Sequence, residues 1–143
     1  MTGEKRMTAN EYLLQYKILV SEARRLKSEY DREKLEIDEI KSPLGSDGLP
    51  HGNGISKTVE DRALRLADKA LSYETARLDA LEKRQEIFDT LMNLKGIEGD
   101  VLCEYYLNLK TWDEVADIVH VDPRTVYRIR LRALKMLSLY VSK

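Results

Sequence analysis

The chain has 143 residues, of which 43% are hydrophobic and 34% are charged, and its formal net charge is −1. This length suits a single domain, or a small domain that carries a long helical extension. No apolar run approaches the roughly 20 residues that span a bilayer, and the first twelve residues lack the apolar stretch of a signal peptide. We therefore expect a cytoplasmic protein without a membrane partner, and the balanced charge argues against a general nucleic-acid coat protein.

Cysteine and histidine are too few for a structural metal site or an intrachain disulfide. Cys103 is the single cysteine, and His51 and His120 are the only histidines. We interpret Cys103 as a core residue, and neither histidine has an evident partner for catalysis. The sequence also lacks a glycine-rich phosphate loop and an activated nucleophile, so it predicts no metal site, no cofactor and no enzyme.

A first long helix is predicted to begin at Thr8, because Thr8 and Glu11 have the spacing of a capping box. Steps of four and three then alternate over about 34 residues, which is the pattern of a heptad seam with a polar interruption at Glu33. The residues of this seam are Tyr12, Tyr16, Leu19, Ala23, Leu26, Tyr30, Glu33, Ile37 and Ile40.

The main break in the chain is predicted as a loop from Ser42 to Ser56, which contains four of the seven glycines and two of the three prolines. A second start signal follows at Thr58 and Asp61, and Lys95–Gly96 is a typical glycine stop. Between them runs another alternation of three and four residues. Its members are Leu64, Ala67, Leu71, Glu74, Leu78, Leu81, Gln85, Phe88 and Met92.

These patterns predict an all-α fold in which a long, coiled-coil-like antiparallel helical hairpin occupies residues 1–95 and a helix-turn-helix domain occupies residues 96–143. A two-helix hairpin alone buries little apolar surface. Stripes this long therefore favour a homodimer in which two hairpins form a four-helix assembly, with the hairpin as the oligomerisation region. A monomer that uses the terminal domain as a third layer is the alternative.

The terminal domain shows the signals of three further helices. Val101, Leu102, Tyr105 and Tyr106 predict the buried face of the first, which ends near Asn108. Thr111 with Glu114 forms a second capping box, and the short helix after it has an inward face. That face comprises Trp112, Val115, Ala116, Ile118 and Val119. The turn of residues 120–122 then leads into the last helix, with Asp122 as its N-cap and Pro123 as its first-turn proline. A short helix, a tight turn and a long helix are typical of a helix-turn-helix.

Charge is divided sharply within this domain. Residues 96–122 carry a net charge of −6, whereas residues 123–143 carry +6 and no acid. In the last helix Val126, Ile129, Ala133, Met136, Leu137 and Tyr140 are predicted to face inward. Arg124, Arg128 and Lys135 fall on the opposite side, bordered by Tyr127, Leu131 and Arg132. Arg130 projects near the apolar face, where we expect it to pair with an acid of the preceding helices.

Such a cationic helix suits the major groove of double-stranded DNA, where its first turns can read bases while flanking cations hold phosphates. The candidate DNA-contacting residues are Thr111, Pro123, Arg124, Thr125, Tyr127, Arg128, Arg132 and Lys135.

The stretch from Thr111 to Leu137, TWDEVADIVHVDPRTVYRIRLRALKML, resembles region 4 of bacterial sigma-70-family factors without a gap. The wider layout, two long helices around a loop containing SDGLPHG and then this domain, resembles phage regulators of late transcription of the RinA and ArpU type. The resemblance implies a phage or prophage origin, transcriptional activation and contact with host RNA polymerase. It places the DNA-facing positions at Pro123, Arg124, Tyr127 and Arg128. Sigma factors have glutamate and glutamine at the positions of Arg124 and Arg128, so their promoter element does not carry over.

Two other functions remain open from the sequence. A DNA-recognition subunit for phage packaging, similar to a small terminase, also combines a helix-turn-helix with an oligomerising hairpin, and it predicts a closed ring of eight or more subunits. A protein that only occupies polymerase predicts no salt-dependent DNA binding. We interpret Trp112, Tyr105 and Tyr106 as core residues rather than a base-stacking platform.

Overall fold

The computed structural model describes the backbone of residues 7–40 and 53–141, and the side chains of residues 7–38 and 57–141. Over these residues the fold is all-α, as predicted. Its helices are α1 (Ala9–Ile40), α2 (Asn53–Leu91), α3 (Ile97–Leu102), α4 (Trp112–Val119) and α5 (Pro123–Val141), with a π-helical turn at Cys103–Leu107 that extends α3. A long helical hairpin, α1 and α2, precedes the helix-turn-helix of α4 and α5.

Two compact units share these helices. Unit 1 contains the described residues within 1–19 and 80–143, and unit 2 is Val20–Asp79. Unit 1 therefore includes the first turns of α1 and the last turns of α2 together with the whole helix-turn-helix. The sequence instead suggested a boundary at Lys95–Gly96.

In unit 2 the two long helices run antiparallel, because residues earlier in α1 form ion pairs with residues later in α2. Glu33 lies 3.2 Å from Arg65, and Glu29, one turn earlier in α1, lies 3.5 Å from Lys69, one turn later in α2. Glu33 is buried, so the polar interruption expected in the α1 seam is a carboxylate between two cations, with Lys69 at 3.8 Å. A carboxylate that is buried in this way needs such partners to offset its lost hydration.

The α1 seam is confirmed for the side chains that the structure describes, since all of them are buried or half-buried. Ile40 lies outside those side chains. The capping box at the start of α1 is also present, because the Glu11 carboxylate accepts the Thr8 N–H and the Thr8 hydroxyl accepts the Glu11 N–H. Leu13, which the seam omitted, is fully buried.

The predicted apolar stripe of α2 does not face the protein interior, so this prediction is wrong. All nine of its residues are exposed. The covered side of α2 is a different row, which contains both apolar and polar residues. In unit 2 its apolar members are Val59, Leu66, Ala70, Tyr73 and Ala76, and in unit 1 they are Ala80, Ile87 and Leu91. The alanines of this row allow two helices to approach closely.

The start of α2 also differs from the prediction. The helix begins at Asn53, so residues 53–56 of the expected loop are helical and Thr58 lies inside the helix rather than at its cap. The remainder of the predicted loop, residues 42–52, lies outside the described residues.

Two apolar clusters hold unit 1 together. The first joins both long helices to the terminal segment through ten buried residues: Ala9, Leu13, Ile87, Leu91, Leu94, Leu102, Tyr106, Leu107, Ala133 and Leu137. The second joins α3, α4 and α5 through Val101, Val115, Ala116, Val126 and Ile129. Tyr106 also donates its hydroxyl hydrogen to the Asn10 amide oxygen, 2.5 Å away, which ties the π-helical turn to α1.

The junction after α2 depends on two glycines. Gly96 has φ of +78°, a left-handed value that favours glycine. Gly99 is buried, and a Cβ at this position would lie 2.5 Å from the Leu94 carbonyl oxygen. The close approach of α3 to the end of α2 therefore requires a residue without a side chain at position 99.

Candidate nucleic-acid interface

Local hydrogen bonds define both ends of α4. The Thr111 hydroxyl accepts the Glu114 N–H at 3.2 Å, and the Glu114 carboxylate accepts the Thr111 N–H at 2.9 Å, so the predicted capping box is confirmed. Hydrogen bonds from Thr111, the backbone N–H first, lower the pKa of the Glu114 carboxyl group. At the other end His120 adopts φ of 59° and donates its N–H to the Ala116 carbonyl. This left-handed residue ends α4 and begins the turn.

Asp122 caps the start of α5. Its carboxylate accepts the Thr125 hydroxyl hydrogen at 2.5 Å and lies in reach of the backbone N–H groups of Thr125 and Arg124. The side-chain bond from Thr125 is the main cause that lowers the pKa of Asp122, and the backbone bonds add to it. Pro123 follows at the first helical position, where the lack of an N–H costs nothing. The turn therefore sets the direction of α5 with local bonds that the sequence signals predicted.

The inner side of α5 is fixed by both clusters of unit 1. Val126 and Ile129 lie in the cluster with α3 and α4, whereas Ala133 and Leu137 lie in the cluster with the long helices. Two predicted members of this side are wrong, because Met136 is 38% exposed and Tyr140 is 44% exposed. Ile118 of α4 is likewise exposed at 44% rather than inward. Met136 and Ile118 lie at the edges of their apolar arcs, whereas Tyr140 lies within the arc, one residue before the last residue of α5.

The outer side of α5 is cationic and open to solvent. Arg124, Arg128 and Lys135 are exposed, and Tyr127 and Leu131 beside them are 55% and 48% exposed. We call these five residues the basic face. They occupy about 16 Å along one side of the helix, at a rise of about 1.5 Å per residue. No acidic residue occurs in α5, so nothing in the helix itself neutralises this face.

Of the two helices of the helix-turn-helix, only α4 carries acidic residues. Asp113, Glu114 and Asp117 are all exposed on this helix. Negative side chains in the first turn favour the helix dipole, but they also repel a phosphate at the N-terminus of α4. The division of charge seen in the sequence thus distinguishes the basic face of α5 as the part of the helix-turn-helix that suits a polyanion.

Arg132, also a candidate DNA contact, is engaged within the protein. Its Nε and one terminal nitrogen lie 3.0 and 2.9 Å from the same oxygen of Glu98 in α3. The Glu98 side chain is only 18% exposed, whereas that of Arg132 is 57% exposed. Arg132 therefore links α5 to α3 through this ion pair, and its side chain remains partly exposed to solvent. Sequence reasoning missed Glu98, because 34 residues separate the two partners and no spacing signal connects them.

Arg130 contacts aromatic rings instead of the expected acid. Its guanidinium carbon lies 5.2 Å from the ring centre of Trp112 and 5.9 Å from that of Tyr127. Within the described residues, Arg130 forms no ion pair with an acid. Trp112 in turn stacks on Tyr105 at 3.6 Å between ring centres. A cation over an aromatic face is stabilised by the negative charge density of the ring, so the half-buried Arg130 does not require a carboxylate.

The other predicted site residues are placed as follows. Pro123 is exposed at the start of α5, and Thr125 is half-buried and bonded to Asp122. Thr111 is exposed at the cap of α4. All eight candidates lie in unit 1, and the structure gathers the basic residues on one side of α5. Tyr106 and Trp112 contribute to packing: Tyr106 is fully buried and Trp112 is half-buried.

Other kinds of site find little support in the described part of the chain. Its His, Cys, Asp and Glu residues form no group of three or more that could hold a metal ion. Cys103 is half-buried against the first cluster, and burial raises the pKa of its thiol. Among the helices that are described, none combines the length and apolar character needed to cross a membrane.

No family model, curated protein sequence or solved structure matches this chain.

Proposed function

We propose that this protein is a sequence-specific DNA-binding regulator of transcription, of the phage late-activator type, and that the basic face of α5 enters the major groove. The observation that carries the proposal is the position of Arg124 and Arg128. Both are exposed in the first two turns of α5, on the side opposite Val126 and Ile129, which fix the helix in the core.

Arginine at this position suits base recognition, because its planar guanidinium can donate two hydrogen bonds to guanine in the major groove. Lys135, about two turns further along, suits a phosphate contact. Tyr127 and Leu131 add apolar surface that suits the methyl group of thymine or the sugar backbone. The residue types of the basic face thus fit both parts of a specific DNA contact.

In this proposal the protein acts in the bacterial cytoplasm as a homodimer on paired half-sites. Contact with host RNA polymerase enters the proposal from the resemblance alone, and no residue is assigned to it.

The experiment begins with selection of binding sites from a pool of random duplexes. Affinity is then measured by fluorescence anisotropy, both on the selected duplex and on a random duplex of equal length.

Arg124→Ala and Arg128→Ala are each expected to weaken binding to the selected duplex by about 1 to 3 kcal/mol, with a much smaller loss on the random duplex. Arg25→Ala is the matched control, because Arg25 is an exposed arginine of α1 in unit 2. It removes the same charge and is expected to leave both affinities nearly unchanged.

Two results would contradict the proposal. Equal losses on the selected and the random duplex would mean that the two arginines hold only phosphates. Failure of any duplex in the pool to bind in a salt-dependent manner would remove DNA as the partner and would favour a protein that only occupies polymerase.

A further inference from the structure

α2 carries a second apolar row that faces solvent. Leu64, Leu71 and Leu78 recur every seven residues in unit 2 and are 65%, 68% and 50% exposed. Ala67 and Glu74, at the positions between them, are exposed as well. We call these five residues the outer stripe. Single exposed leucines are common in proteins, whereas three in one row along about 21 Å of helix are not.

The spacing of the outer stripe is that of a helix packed against another helix. Its steps alternate three and four, which places leucines at the a positions of successive heptads. In unit 1 the same register continues in Leu81, Gln85, Phe88 and Met92, and its three apolar members are 49%, 37% and 57% exposed. The covered row of α2 is a separate set of residues, so the outer stripe is an additional surface.

We propose that the outer stripe is a homodimer interface, on which α2 of a second copy of this chain packs in parallel. The charges that flank the stripe select this partner. Arg77 and Arg84 precede a positions, whereas Glu82 and Asp89 follow d positions. These are the g and e positions, whose side chains meet between two coiled helices.

A parallel pair brings each g position of one copy to an e position of the other. Arg77 of one copy then faces Glu82 of the other, which joins opposite charges. Arg84 is half-buried and donates to the Asn108 amide oxygen of its own chain at 2.9 Å, so the pair of Arg77 and Glu82 carries the charge argument. An antiparallel pair brings g to g and e to e. It would place arginine beside arginine and acid beside acid, so the sequence of charges favours the parallel arrangement.

Glu74 is the polar member of the stripe and has a partner in its own helix. A terminal nitrogen of Arg77 lies 2.5 Å from the Glu74 carboxylate. This ion pair partly neutralises Glu74, so less negative charge would accumulate where the Glu74 side chains of the two copies meet. A polar residue at a core position of a coiled coil lowers stability but fixes the register, so one such layer among leucines is consistent with a specific dimer.

This inference names the interface of the homodimer that the proposed function includes. Its test contains no DNA, so a failure of the interface is distinguishable from a failure of DNA binding. Sedimentation equilibrium of the full chain at about 1 to 100 μM is expected to show a dimer. Leu71→Lys is expected to raise the dimer dissociation constant about 100-fold or more, because it places two cations in the centre of the apolar layer. Helix content should be unchanged, since Leu71 is exposed in the single chain.

Leu35→Lys is the matched control. Leu35 lies on α1 in unit 2, is 64% exposed, and is outside the outer stripe. It is expected to leave the dissociation constant unchanged. The orientation is tested in a Cys103→Ser background with Leu64→Cys or Leu78→Cys introduced singly. In a parallel dimer each of the two new cysteines meets its own copy and forms a disulfide upon mild oxidation.

Several outcomes would overturn the proposal. A monomer at 100 μM, a closed ring of eight or more subunits, or a dimer that tolerates Leu71→Lys would each exclude the outer stripe as the dimer interface. Failure of both cysteine variants to cross-link to themselves, with retention of a dimer, would exclude the parallel arrangement.

Discussion

The ion pair between Glu98 and Arg132 allows a direct test of how α5 engages DNA. Arg132 is a candidate phosphate contact, yet its guanidinium is held by Glu98 at 2.9 and 3.0 Å. DNA and Glu98 must therefore compete for it. We expect Glu98→Gln to release Arg132 and to strengthen binding to a random duplex.

The magnitude follows from the exposure of the pair. Arg132 is more than half exposed, so the ion pair is worth about 0.5 to 1 kcal/mol. If breaking the ion pair no longer opposes DNA binding, the affinity for DNA rises about 2- to 5-fold, because 1.4 kcal/mol corresponds to a factor of ten. Arg132→Ala should have the opposite effect and reduce the slope of log K against log salt by about 0.9, the loss of one phosphate contact.

The assay is fluorescence anisotropy with a random duplex at several salt concentrations, together with urea unfolding of each variant. Asp117→Asn is the control, because it removes an exposed acid of α4 without releasing a cation. Equal gains from Glu98→Gln and Asp117→Asn would mean that only net charge had changed. An unchanged salt slope in Arg132→Ala would refute the reasoning and leave Arg132 as a brace between α3 and α5.

Two further predictions concern the stability of the helix-turn-helix. Val126→Ala is expected to lower the free energy of unfolding by about 2 to 3 kcal/mol, because Val126 is fully buried between α3, α4 and α5. Leu139→Ala, at a position that is 67% exposed, should change it by less than about 0.5 kcal/mol, and similar effects in urea unfolding would contradict the packing described. The lowered pKa of Asp122 predicts that its capping contribution is present above the ordinary aspartate pKa of 3.8 and is lost as the pH falls through the lower folded value. Asp122→Asn should therefore weaken the dependence of stability on pH between about pH 5 and 2, as measured by urea unfolding across that range, and an unaltered profile would exclude this carboxylate as its source.

Sequence signals were most informative where the controlling interactions are local. The capping boxes at Thr8 and Thr111 were predicted from residues three positions apart, and the cap at Asp122 was predicted from the proline that follows it. The structure contains each of them. A cap forms between near neighbours in the chain, so the local sequence predicts it whatever the tertiary position of the helix. The basic face was predictable for the same reason, since the period of an α-helix places Arg124 and Arg128 together.

Hydrophobic periodicity gave a wrong prediction for α2, because this helix has two apolar rows and either could face the protein interior. α2 has two apolar rows, and the periodicity identified the one with the larger side chains as the inner row. The structure covers the row with Ala70, Tyr73 and Ala76 and leaves Leu64 and Leu71 exposed. Periodicity reports that a row exists but not which neighbour covers it. Close packing of helices favours small residues, a preference that depends on the partner helix.

The amino-acid sequence alone determined the helical class, the helix-turn-helix and the cationic side of its last helix, because caps and a 3.6-residue period depend only on residues a few positions apart. Tertiary structure decided which row of α2 is covered, that Arg132 is held by Glu98, and that Arg130 rests on Trp112. These partners come from distant parts of the chain, and contact between them exists only after the helices have packed.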